Sequence, residues 1–97
     1  MNAVQLADFY QQSASIDKTL ALIKLEVLKG INSEYNVSEE AINSFGYSLM
    51  NQNKITAALE IFKLNTVIYP GGFNTFDSYG ECLLKLDQKE EAIRAYK

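Results

Sequence analysis

The sequence has no histidine and no tryptophan, one cysteine and one proline, and each scarcity excludes something. Without histidine there can be no Ser-His-Asp triad and no histidine-bearing metal site. Cys82 is alone, so no disulfide can close within the chain, and its setting suits a small buried helix residue. With Pro70 as the only proline, little interrupts the stretches of Ala, Leu, Ile, Lys, Glu and Gln that favour helix over sheet. No apolar run approaches the roughly 18–20 residues of a membrane span. The opening MNAVQLADFYQQ lacks the basic start and apolar block of a secretory signal. A cytoplasmic location is therefore expected for the chain as given; for a fragment of an exported protein that expectation has no force. One-sided charge is also scarce: nine basic and twelve acidic residues, mixed along the chain, leave a net charge of −3. No basic face for nucleic acid is visible, and an anionic membrane surface is disfavoured for the same reason.

What is present suits one small folded domain. The 97 residues, 47% apolar, are enough to bury a modest core. Val4, Ala7 and Tyr10, with Leu6 and Phe9, fall on overlapping helical faces, and Ile16, Leu20, Ile23 and Val27 form a second helical stripe. Ser15 can cap that second helix and Gly30 can end it; pattern alone leaves residues 11–15 either as a break or as part of one long helix, and two N-terminal helices are expected. Ser38 caps a third helix, with Glu39 and Glu40 in its first turn, running to about Met50. A fourth follows the polar turn NQNK and stops at Pro70, Gly71 and Gly72. Asn74 is expected to cap a fifth helix. Asp87 and Glu90 have the spacing of a capping box, so a sixth helix is expected to open there. Short turns and no strand candidate make the fold class all-α.

Two stretches nearly repeat each other. Residues 44–62, SFGYSLMNQNKITAALEIF, and residues 78–96, SYGECLLKLDQKEEAIRAY, align without a gap at a shift of 34. Ile42 falls on Phe76, Phe45 on Tyr79, Gly46 on Gly80, Leu49 on Leu83, Ala58 on Ala92 and Phe62 on Tyr96. A 34-residue period carrying two helices resembles the tetratricopeptide repeat. Its pattern is met by Ile42, Phe45, Gly46, Leu49, Ala58, Phe62 and Pro70, then by Phe76, Tyr79, Gly80, Leu83, Ala92 and Tyr96. A mid-helix glycine costs about 1 kcal/mol relative to alanine, offset if a paired helix crosses closely there. Gly46 and Gly80 are thus expected at helix crossings, with Ala58 and Ala92 opposite and the aromatics filling around them. Asn65 departs from the pattern, which has Ala there, and the second copy is nine residues short.

The resemblance implies antiparallel helical hairpins in a superhelix. Residues 1–38 would be N-terminal helices, with a degenerate first hairpin at residues 16–30. Residues 39–72 would be the first repeat and residues 73–97 a truncated second one. Residues 16–97 also resemble the repeat tail behind some bacterial serine hydrolases, β-lactamase-like enzymes and esterases. Phe62, Lys63, Leu64 and Asn65 precede the Tyr-Pro stop as in those tails, and Asp77 and Ser78 precede the next glycine. That likeness is to an accessory domain and brings no catalytic residue with it.

No other motif supports catalysis or a cofactor. Ser15 and Lys18 match Ser-x-x-Lys, but the partner motifs and surrounding fold of such enzymes are missing, and Ser15 reads as a cap. Gly46, Tyr47 and Ser48 begin a nucleophile elbow, but Met50 stands where its closing glycine belongs. The acidic pairs Glu39-Glu40 and Glu90-Glu91 read as solvated helix faces. Binding is left as the function. The resemblance places Glu40, Asn43, Tyr47, Met50, Asn74, Asp77, Glu81 and Leu84 on a concave face. Asp77 and Glu81 would repel an acidic tail, so a neutral or basic protein segment is the expected ligand. Packing of this face on the N-terminal helices or a parent domain, or a homodimer through the repeat edge, are the alternatives.

Overall fold

The computed structural model describes residues 5–95, without the side chains of Ala92 and Ala95. Among these residues the chain forms five α-helices and no strand: α1 (Leu6–Ser13), α2 (Ile16–Lys29), α3 (Glu39–Asn51), α4 (Ile55–Ile68) and α5 (Phe73–Ala95), with a short 3-10 turn at Gly30–Asn32. None of them is long and apolar enough to cross a membrane.

Local chemistry sets most of the helix ends. Ala14, at a φ of 52°, turns the chain out of α1, and its N–H closes on the Tyr10 carbonyl at 2.8 Å. The two N-terminal helices are therefore separate. Ser15 caps α2 by accepting the Lys18 N–H at 3.2 Å, and Gly30, at a φ of 59°, ends it. Ser38 caps α3 by accepting the Ala41 N–H at 3.1 Å. α3 ends in a Schellman turn: Asn53 has a φ of 63°, its N–H reaches the Met50 carbonyl at 3.0 Å, and Lys54 N–H reaches that of Leu49 at 2.9 Å.

The core lies mainly between α3 and α4. Ile42, Phe45, Gly46 and Leu49 of α3 are buried, as are Ala58, Ile61 and Phe62 of α4. A Cβ added at Gly46 would sit 2.5 Å from the Phe62 ring, so the helices can cross here only because that carbon is missing. Further along α4, Asn65 donates to the Glu39 carbonyl at 3.1 Å and the Tyr69 hydroxyl donates to that of Val37 at 2.5 Å. This use of Asn65 explains its departure from the repeat pattern: it fixes the start of α3. α2 packs on α4 rather than on α3. Its buried Glu26 binds Lys29 at 2.7 Å and accepts the Ser33 hydroxyl at 3.0 Å. The hydrogen bond from Lys29 holds this carboxyl below its usual range, against the opposing effect of burial.

The second copy departs from the sequence expectation. α5 runs unbroken from Phe73, so Asn74 lies within its first turn instead of capping it, and no helix opens at Asp87. Leu86, Gln88, Lys89 and Glu90 are all good helix formers and carry the hydrogen-bonding through. As a result Phe76 is 53% exposed, Leu83 is 43% exposed, and a Cβ at Gly80 would meet nothing within 4 Å. Gly80 is thus not at a helix crossing among the described residues, since nothing described there lies over it. Tyr79 is partly buried against the core, and Pro70 is exposed beyond the end of α4. Val4, Tyr96 and the side chain of Ala92 lie outside the described residues.

Gly46→Ala is expected to destabilise the protein by up to about 2 kcal/mol in chemical denaturation. The overpacking against a fully buried ring costs about 1–3 kcal/mol and outweighs the gain in helix propensity. An increase in stability would show that Phe62 yields freely.

Candidate protein-interaction face

α1, α3 and α5 touch in succession, with α3 in the middle. At about 100° per residue, Glu40, Asn43, Tyr47 and Met50 span an arc of roughly 80° on α3. Asn74, Asp77, Glu81 and Leu84 span one of the same width on α5. The two arcs are joined through Tyr47 and Glu81, with Ser78 beside them. The Ser78 hydroxyl donates to the Tyr47 oxygen at 3.3 Å, and the Tyr47 hydroxyl donates to the Glu81 carboxylate at 2.6 Å. Beneath it the Tyr47 ring meets Phe62 edge-on, with centroids 5.2 Å apart.

The other expected residues are arranged around this centre. Asn43 and Met50 are partly buried on α3, and the Asn43 Oδ1 atom is buried without a hydrogen bond to any described residue. Asn74, Asp77 and Leu84 are exposed on α5. Glu40 stands apart from the α5 contact: with Ser44 and Ser48 it lines a groove of about 400 Å³ between α3 and α1. Ser78 is not among the residues that the resemblance places on the concave face, yet it bonds at its centre. The signal for the Tyr47–Glu81 contact was in the repeat itself, because the two residues are 34 apart and so occupy equivalent positions in adjacent copies.

The electrostatics are acidic. The hydrogen bond to Glu81 pushes the Tyr47 phenol above the usual tyrosine pKa; the Ser78 hydrogen bond opposes this, while burial and the charges of Glu81 and Asp77 reinforce it. Burial raises the pKa of the Cys82 thiol, with help from the Glu81 charge, which keeps it protonated, and its Sγ lies 3.6 Å from the Ile55 carbonyl oxygen. The serines of the motif fragments are engaged elsewhere, Ser15 as a cap and Ser48 with the Gln52 amide at 3.1 Å. Among the described residues no group of three His, Cys, Asp or Glu side chains is placed to hold a metal ion. The arrangement offers hydrogen-bonding groups and negative charge at the surface.

The folded-state pKa of Tyr47 lies above its unfolded value near 10.0, so its contact stabilises the fold fully below that pH. The stabilisation is lost as pH rises through the folded value. Tyr47→Phe should therefore cost about 0.5–1.5 kcal/mol at neutral pH and flatten the alkaline limb of stability. The difference in phenolate absorbance between wild type and variant should show Tyr47 ionising above pH 10.0; ionisation below that value would contradict the geometry. Comparison with family models, with curated proteins and with solved structures finds no match to this chain.

Proposed function

We propose that the chain is a non-catalytic, tetratricopeptide-like interaction or accessory module, working as part of a larger protein such as a serine hydrolase. The observation that carries this reading is the face shared by α3 and α5, with Tyr47 hydrogen-bonded to Glu81 across it. Helices from adjacent repeat copies, in contact and presenting polar side chains outward, suit the grip of an extended segment. Asp77 and Glu81 are exposed there, so a neutral or basic protein segment fits without like-charge repulsion. Nucleic acid and membrane are not part of this reading, and the module needs no cofactor.

Short labelled peptides of basic, neutral and acidic composition provide the test, read by fluorescence anisotropy. Basic peptides should bind best and weaken with added salt. The pair Asp77→Lys and Glu81→Lys should reduce that binding about tenfold, since each rim charge contributes a few tenths to 1 kcal/mol and reversal doubles the effect. Equal binding of acidic peptides, or indifference to both substitutions, would sink the proposal.

A second reading has its own observation. Phe73 is 89% exposed, Phe76 53% and Leu83 43%, all on α5 at the edge of the repeat. A stand-alone adaptor that self-associates through this edge would cover them. Light scattering should then give a dimer at high micromolar concentration, and a monomer there counts against it.

A further inference from the structure

One side of α5 is covered: Thr75, Ser78 and Cys82 are buried where the helix meets α4. The far side carries Phe73, Phe76, Leu83 and Leu84, between 43% and 89% exposed, together with Gly80, where an added Cβ meets nothing described within 4 Å. At about 100° per residue these five positions share a stripe roughly 100° wide, the width a helix normally turns to a core. We propose that this stripe seats a second copy of the chain: two straight α5 helices pair antiparallel about a two-fold axis at the level of Ser78, with Phe76 of each copy on Gly80 of the other. The pairing rests on self-association through this edge, the second reading of the function, and adds the register of contact.

The spacing along the stripe identifies a second copy as the occupant. A two-fold interface must be its own complement, so that if one residue meets another, the second also meets the first. Phe73 lies five residues before Ser78 and Leu83 five beyond it, while Phe76 lies two before and Gly80 two beyond. An antiparallel pair centred there sets a ring on bare backbone twice and a ring on leucine twice. The first of these contacts already exists inside the molecule, where a Cβ added at Gly46 would come within 2.5 Å of the Phe62 ring. A parallel pair sets Phe76 on Phe76 and Gly80 on Gly80, which crowds the rings and leaves a gap between the glycines.

The area is in the range such a pair needs. Phe73, Phe76, Leu83 and Leu84 together expose about 500 Å² per copy, so pairing removes about 1,000 Å² from water through these four alone. Flanking groups bring the total to the ~1,200 Å² at the low end of stable interfaces, which suits a weak, reversible dimer. Charge sets its salt dependence. Asp77 is exposed on the rim of the stripe, one residue from the two-fold. With packed helix axes about 8–10 Å apart, the two Asp77 carboxylates come within about 10 Å, one Debye length at 0.1 M salt. Added salt relieves their repulsion and strengthens the pair, the reverse of its effect on a bound basic peptide.

Sedimentation equilibrium over a concentration series gives the dimer affinity, and Gly80→Ala tests the register. In a lone chain the added methyl meets nothing described, so the dilute monomer should keep or raise its thermal midpoint. Across the pair it falls under Phe76 of the other copy at two places, and dimerisation should weaken at least tenfold. Spin labels, in a Cys82→Ala background, read the direction. Asp77→Cys labels, one on each copy, should lie less than about 20 Å apart, and Glu91→Cys labels about 39 Å apart along the antiparallel axes. A wild-type monomer at high micromolar concentration overturns the self-association reading and this pairing with it. A dimer that ignores Gly80→Ala, weakens with added salt, holds its Asp77→Cys labels farther apart or brings its Glu91→Cys labels equally close overturns the pairing and leaves that reading standing.

Discussion

The contact of the Phe62 ring with the bare backbone of Gly46 is the constraint on which the rest of the molecule depends. A ring this large can be fully buried between α3 and α4 only where the facing helix offers no side chain. The mid-helix glycine costs about 1 kcal/mol, and a buried phenylalanine contributes several times that. Once the crossing is set, neighbouring contacts follow along α4. Ala58 is buried one turn before it, Asn65 reaches Glu39 just beyond it, and Tyr69 reaches Val37. α5 then docks on α4 through a side containing Thr75, Ser78 and Cys82, all buried.

Much of this was legible in the sequence where the signal is local or repeated. Ser15 and Ser38 announce helix starts through short-range chemistry that tertiary packing leaves alone. Gly46, Ala58 and Phe62 stand out because the second copy echoes them. The same reasoning failed at Asp87 and Asn74, both plausible caps, because a cap competes with continuing the helix. Through residues 86–90 every side chain tolerates the helix, and no packed partner forces the break. Asn65 was visible as a departure from the pattern, but its reason was not, since Glu39 is 26 residues away in sequence. The packing of α2 on α4 rather than on α3 had no local signal at all.

Several of the buried polar residues bond at helix ends. Thr19 returns a hydrogen bond to the Ser15 carbonyl at 2.8 Å, and Thr75 does the same to Gly72 at 2.7 Å. Asn65 and Glu26 hold the start of α3 and the turn after α2. Thr19, Thr75 and Asn65 thus commit their side-chain donors to backbone carbonyls at the starts of α2, α5 and α3, and Glu26 is buried, bonded to its two side-chain partners.

Tyr47 gives the outer face a direct line to the interior. Its hydroxyl belongs to Glu81 and Ser78 at the surface, while its ring rests against the phenylalanine that fixes the helix crossing. Were the Glu81 carboxylate drawn away, that hydroxyl would lose its 2.6 Å tether. The phenol is then steadied by Ser78 and by ring packing alone. A displacement of the exposed Glu81 carboxylate is thereby felt at the ring that clamps α3 to α4.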